Sequence, residues 1–152
     1  MENVKKINDE LTVAGQITPE QLQQASQEGL KSVFNLRSPT EETFWSDEQQ
    51  QAESLGLHYF HLPVAKIEEL TEELTTKVLA TIDEIPKPAL VHCAAALRAG
   101  AMALMYVATR QGMSPEQAFE QAERIGFDCS AHPQAKEFFK NYVEKYSQMQ
   151  AR

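Results

Sequence analysis

The sequence predicts an α/β fold: a mostly parallel, four- or five-stranded sheet flanked by helices. Three observations lead there. Short runs rich in β-branched and aromatic residues alternate with segments of helical period, the pattern of parallel strands joined by crossover helices. The helical segments are bounded by Thr-Pro, Ser-Pro, Gly or Pro signals. The chain has 152 residues, 42% hydrophobic and 24% charged, which suits an ordinary globular domain with a real core. No repeat, low-complexity segment or linker interrupts it, so residues 1–152 are expected to form a single domain.

The elements follow in order. Leu11-Thr-Val-Ala14 reads as a short strand and Gly15 as a turn. Thr18 and Gln21 have capping-box spacing with Pro19 at the first helical position, so a helix is expected over 19–28, closed by Gly29. Residues 30–36, Leu-Lys-Ser-Val-Phe-Asn-Leu, form the second strand, and Arg37 to Thr40 a loop. A helix over about 43–54 ends at Gly56, and 57–62 alternates as a third strand stopped by Pro63. Apolar Leu70, Leu74, Val78, Leu79 and Ile82 mark an amphipathic helix over 68–85, ended by Pro86 and Pro88. Ala89 to His92 is a fourth strand, and its unbroken apolar character suits a position buried on both faces. Three helices complete the chain, over 98–111, about 115–125 and 133–148.

The formal net charge of −8 disfavours nucleic acid and anionic membrane as partners, since both require a basic face. It leaves room for a small phosphorylated substrate, because a local cradle can be positive within an acidic protein. No apolar run reaches the roughly 18 residues of a membrane span, and the opening Met-Glu-Asn-Val-Lys-Lys lacks an apolar signal core, so the chain reads as cytoplasmic. Its two cysteines, Cys93 and Cys129, should then both be thiols. The histidines and cysteines show no metal-ligand spacing, and no metal is expected.

Chemistry concentrates in Leu90-Val-His-Cys-Ala-Ala-Ala-Leu-Arg-Ala-Gly100. Cys93 stands directly after a strand and before a helix, where parallel sheets bind ligands. A helix start offers unpaired N–H groups and a positive dipole end, which suits phosphate-like anions and stabilises a thiolate. A thiolate there is a nucleophile, and the Arg98 guanidinium has the fork geometry for phosphoryl oxygens. The set suits phosphoryl transfer to sulfur. The bland alternative is a buried cysteine acting as a small apolar residue beneath a helix. The His92-Cys93 pair with a following Arg98 favours the functional reading.

The loop resembles the phosphate loop of the cysteine-dependent phosphatases of the protein-tyrosine and dual-specificity class. Most of that class places five residues between cysteine and arginine, whereas this chain has four. The shorter spacing is similar to a bacterial branch, the phosphatase-like domain related to beta-lactamase-hydrolase-like proteins (domain of unknown function 442). Ala14-Gly-Gln-Ile-Thr-Pro-Glu-Gln-Leu22, Val33-Phe-Asn-Leu-Arg37, Ala52-Glu-Ser-Leu-Gly-Leu57 and His61-Leu-Pro-Val64 match that branch in order and spacing, and the likeness covers most of residues 10–145. It implies a protein-tyrosine/dual-specificity-phosphatase-like fold. It also implies hydrolysis of a phosphomonoester, on a phosphorylated small molecule or a phosphoprotein, without a cofactor. By the same resemblance Cys93 would attack phosphorus and form a phosphocysteine that water hydrolyses. Arg98 would hold the phosphoryl oxygens, and the backbone amides of Ala94, Ala95, Ala96, Leu97 and Arg98 would form the cradle. His92 would orient the loop or tune the thiolate.

The chain departs from that pattern in three places. The loop middle, usually glycine-bearing, is Ala95-Ala96-Leu97, and alanine is disfavoured wherever φ is positive. Ala99 stands where relatives carry Ser or Thr. The loop Val64 to Glu69 lacks the usual aspartic general acid, leaving Glu68 or Glu69 as substitutes. Two rival functions follow. One is a rhodanese-like sulfurtransferase carrying a persulfide on Cys93, whose loop has the same spacing but whose early strand usually bears Asp-x-Arg where this chain has Asn35-Leu36-Arg37. The other is a non-catalytic anion-binding module. Of the remaining residues, Arg37 reads as a loop arginine in a salt bridge or a recognition group. Phe44, Trp45 and Tyr59 read as core or rim aromatics. Cys129 reads as a spare thiol or a resolving partner for Cys93, and Asp128 and His132 as residues of a loop near a helix cap.

Overall fold

The computed structural model describes residues 4–38, 40, 45–64, 70–93, 97–125 and 133–150, with the backbone alone for Leu97 and 147–150. Among the described residues, five strands and six helices follow in chain order: β1 (Val4–Lys6), β2 (Leu11–Ala14), α1 (Pro19–Gln27), β3 (Ser32–Asn35), α2 (Glu48–Ser54), β4 (His58–His61), α3 (Glu72–Glu84), β5 (Ala89–His92), α4 (Leu97–Gln111), α5 (Pro115–Arg124) and α6 (Pro133–Gln150). The sheet order is β1-β2-β5-β3-β4, with β1 antiparallel and the other four strands parallel.

The caps form as their spacing predicts. Thr18 accepts from the Gln21 amide, and the Gln21 side chain returns to the Thr18 amide. Ser114 and Gln117 repeat the arrangement at α5. Gly29, at φ 92°, turns the chain out of α1 into β3, a conformation costly for any residue with a Cβ.

Three elements differ from the sequence-based expectation. The polar N-terminus supplies a fifth strand: Asn8 Oδ1 accepts from the Glu10 and Leu11 amides, closing a turn that lays Val4 to Lys6 against β2. Expectation started α2 near residue 43, but the helix begins at Glu48, after a turn at Ser46–Asp47 with Asp47 as the N-cap. Trp45 packs there against the core, which fixes the chain before the helix can start. The helix expected from residue 68 also starts later, at Glu72, where the Thr71 side chain caps it by accepting from the Leu74 amide; residues 41–44 and 65–69 lie outside the described set.

Strand alternation divides the interior into two layers. Leu11, Val13, Phe34, Ala89, Val91 and Cys93 face α3–α6, meeting Val78, Ile82, Met102, Met105 and Val143. Ala14, Val33 and Leu90 face α1 and α2, meeting Leu22, Ala52 and Leu57. β5 is central and covered on both faces, with every residue buried, as its apolar run implied. Among the described residues, no helix is long and apolar enough to cross a membrane.

Candidate active site

Cys93 is the first residue beyond β5, at the carboxyl end of the sheet's central strand. Its amide donates to the Ala14 carbonyl at 3.1 Å, and the carbonyl of the preceding His92 accepts from the Leu36 amide at 2.9 Å. Both neighbouring strands therefore pin the backbone from which the Cys93 side chain projects. Its thiol is 1% exposed. The Ala99 amide, in the first turn of α4, donates to Cys93 Sγ at 3.4 Å. That N–H has no partner within its own helix, so the sulfur completes it and meets the positive end of the helix dipole. Ala94, Ala95 and Ala96, expected in the cradle, lie outside the described residues, as do Glu68, Glu69, Phe44, Asp128, Cys129 and His132; Leu97 opens α4.

Arg98 stands in the same first turn, half-buried. Its Nη1 donates to the Val64 carbonyl at 2.6 Å. Val64 is buried, and its own amide donates to the Leu36 carbonyl at 2.8 Å. The arginine is thus anchored to the segment that leaves β4, a fixed point at the carboxyl edge of the sheet.

His92 and Cys93 project to opposite faces, as successive strand residues must. The His92 ring is fully buried on the α1–α2 side. Its Nε2 lies 2.5 Å from Glu48 Oε2, and among the described residues its Nδ1 has no hydrogen-bond partner. Glu48 is itself 1% exposed, and its second oxygen accepts from Gln16 Nε2 at 3.0 Å. Gln16 Oε1 in turn accepts from Arg37 Nη1 at 2.6 Å. A hydrogen-bonded chain Arg37–Gln16–Glu48–His92 thus runs from the segment after β3 to the residue before Cys93. Asn35 supports it, accepting from the Arg37 amide through Oδ1 and donating to the Tyr59 hydroxyl through Nδ2. Burial, and then the Glu48 charge, push the Tyr59 phenol above its ordinary range, so it stays protonated. His61 Nε2 donates to the Arg37 carbonyl at 2.5 Å.

Arg37, from sequence a salt-bridging or substrate-reading loop residue, is 2% exposed, and its Nη1 donates to Gln16 Oε1. Trp45 and Tyr59 pack against the α1–α2 layer, as core or rim aromatics. Sequence reasoning gave Glu48 and Gln16 no role in the site. They lie 44 and 76 residues before His92 and Cys93's strand end respectively, on separate elements, so no local spacing signals them. Among the described residues no cluster of histidine, cysteine or carboxylate side chains is suited to hold a metal.

With this geometry in place, comparison with known proteins is decisive. Residues 2–141 match the model of the family described as DSP-PTPase phosphatase fused to NAD+ kinase. The chain belongs to that DSP-PTPase family. Solved structures with the same fold include a DUF442 phosphatase candidate from Shewanella putrefaciens CN-32, with a TM-score of 0.79, 24% identity and coverage of 95% of this chain and 93% of that one. A cysteine-to-serine variant of P. aeruginosa TpbA in complex with pTyr gives 0.78 at 17% identity, covering 99% and 91%. PTPMT1 in complex with PI(5)P gives 0.77 at 16% identity, covering 99% and 100%. No curated protein matches the chain by sequence. The DSP-PTPase assignment bears out the resemblance carried by the Cys93 loop and the order of elements around it. It makes the chain a member of a phosphoric monoester hydrolase family, and it does not favour the sulfurtransferase alternative.

Proposed function

We propose that this DSP-PTPase domain hydrolyses a phosphomonoester through a phosphocysteine on Cys93. The observation that carries the reading is the Ala99 amide on Cys93 Sγ at the start of α4, at the end of a central parallel strand. A thiolate there attacks phosphorus, the P–O ester bond breaks, and the leaving oxygen takes a proton. Water then attacks the phosphocysteine, the P–S bond breaks, and inorganic phosphate leaves with the thiolate restored. Arg98 gathers the phosphoryl oxygens, and amides of the segment from Ala94 to Arg98 complete the cradle. The proton donor to the leaving group stays unassigned; Glu68 and Glu69 are the carboxylates to test.

The substrate class is a phosphorylated small molecule or a phosphorylated protein side chain. The pTyr and PI(5)P bound by TpbA and PTPMT1 support that range. A cytoplasmic location agrees with this reading, since a reducing compartment keeps Cys93 a thiol. The near-complete burial of Cys93 favours a second reading, an anion-binding module with little turnover.

The deciding assay runs an aryl phosphate, and separately thiosulfate with cyanide, on the wild type and on Cys93→Ser. Phosphate release abolished by the substitution is expected. Release that survives it overturns the proposal, and Cys93-dependent thiocyanate formation establishes the sulfurtransferase. Vanadate binding without phosphate release leaves the module.

A further inference from the structure

The proposed chemistry uses Cys93 and Arg98 and gives no work to the buried polar chain on the other face of β5. That chain is costly to bury. Glu48 and Arg37 are 1% and 2% exposed, and His92 is fully buried. Replacing such groups with packed apolar residues is often neutral or stabilising, so stability alone is a weak reason for them. Their placement is specific. Glu48 accepts from Gln16 Nε2 through one oxygen and meets His92 Nε2 through the other, and Gln16 in turn accepts from Arg37. The ring Glu48 grips belongs to the residue immediately before the nucleophile.

We propose that Glu48 is a positioning residue for Cys93, acting through His92. The inference rests on the reading of Cys93 as nucleophile. Glu48 takes the hydrogen bond of His92 Nε2–H and so selects the ring tautomer with a proton on Nε2 and none on Nδ1. Among the described residues Nδ1 has no partner, which fits that tautomer: a bare ring nitrogen lacks only a donor, whereas a buried N–H there would be an orphaned donor. With the ring fixed, the His92 backbone is fixed. Its carbonyl holds Leu36 while the next amide holds Ala14, so the Cβ direction of Cys93 is set from both sides. Glu48 touches neither the sulfur nor Arg98 in this arrangement. Its loss should therefore misalign attack without removing the groups that bind the anion.

The test compares wild type, Glu48→Gln, Gln16→Met and the remote control Asp83→Asn. Glu48→Gln removes the charge at constant shape. Gln16→Met cuts Glu48 from Arg37 while leaving the carboxylate in place. In the wild type, 15N spectra of the His92 ring should show Nε2 protonated and Nδ1 bare. Glu48→Gln should disturb that pattern and lower kcat on an aryl phosphate by roughly 10- to 100-fold, the scale of an ångström-size misplacement, with KM and vanadate affinity within about threefold. Gln16→Met should lower kcat by a smaller factor, and Asp83→Asn should leave it unchanged. Alkylation of Cys93 by iodoacetamide, read by peptide mass spectrometry beside Cys129, should slow in Glu48→Gln.

A protonated Nδ1 in the wild type overturns the proposal. So does a folded Glu48→Gln with unchanged kcat and unchanged Cys93 alkylation, or one that loses kcat and vanadate binding together. If Glu48→Gln does not fold, Gln16→Met with unchanged kcat and alkylation overturns it. If the wild type releases no phosphate, the phosphatase reading fails by itself, and the spectra and alkylation rates still decide the role of Glu48.

Discussion

Replacing Arg98 by lysine separates charge from geometry at the proposed phosphoryl site. The arginine offers five donors in a rigid fork, and one bond, from Nη1 to the Val64 carbonyl at 2.6 Å, orients that fork from the β4 side. Lysine keeps the charge but concentrates its donors on one flexible nitrogen. It cannot hold Val64 and clamp two phosphoryl oxygens with fixed geometry. Losing one preorganised oxyanion donor costs about 2.7–4 kcal/mol, or roughly 10²–10³ in rate. Lysine should fall near the lower end of that loss and alanine at or beyond the upper end. The fold should suffer far less. The Val64 bond is charge-assisted but half-exposed, so its loss should cost about 1 kcal/mol, or about 2–4 °C in Tm for a domain of this size. The assay is kcat/KM on an aryl phosphate well below Tm, with thermal unfolding in parallel. A lysine variant that keeps kcat/KM within about threefold of wild type would refute the role given to Arg98. So would one whose activity loss is accounted for by unfolding.

Three further outcomes follow from the fold. Leu90→Ala on β5 removes a fully buried side chain from the α1–α2 layer, and should cost about 3–5 kcal/mol by chemical denaturation; a loss below about 1 kcal/mol would mean that layer is not packed as described. Ser114→Ala breaks the capping box of α5 and should cost about 1 kcal/mol, whereas Ser114→Asp should retain most of the stability. Asp83 is held below the usual carboxylate range, chiefly by its hydrogen bonds from Arg110, at 2.6 and 3.2 Å. A carboxylate depressed on folding stabilises above its unfolded pKa, and that stability is lost as pH falls through the folded value. The Tm advantage of wild type over Asp83→Asn should therefore be full at pH 7 and vanish in acid. Because the pair is partly exposed it should amount to no more than about 1 kcal/mol; an advantage that grows in acid would contradict the assignment.

What the chain discloses before folding is what local chemistry controls. The Thr18 and Ser114 caps, the turn at Gly29 and the buried run Ala89 to His92 depend on residues a few positions apart, and each appears where expected. Strand β1 was hidden because Val4-Lys5-Lys6 has little apolar content; it forms by pairing with β2 across the Asn8 turn, a tertiary event. The start of α2 was misplaced because helical period alone cannot register that Trp45 is needed by the core. Cys93 and Arg98 stand out as candidates in the sequence because strand, loop and helix are contiguous there. Glu48, Gln16 and Arg37 do not, since their meeting depends on β2, β3 and α2 converging on one edge of the sheet. The placement of Arg37 shows the same limit: a loop arginine in sequence becomes a buried support once the sheet closes around it.

The most direct test of the account is to catch the intermediate. Wild type mixed with an aryl phosphate, quenched within a turnover and digested, should yield one phosphorylated peptide, the one containing Cys93, with the label absent from Cys93→Ser. A phosphoryl group on any other residue, or steady phosphate release with no label on Cys93 at any quench time, would contradict it.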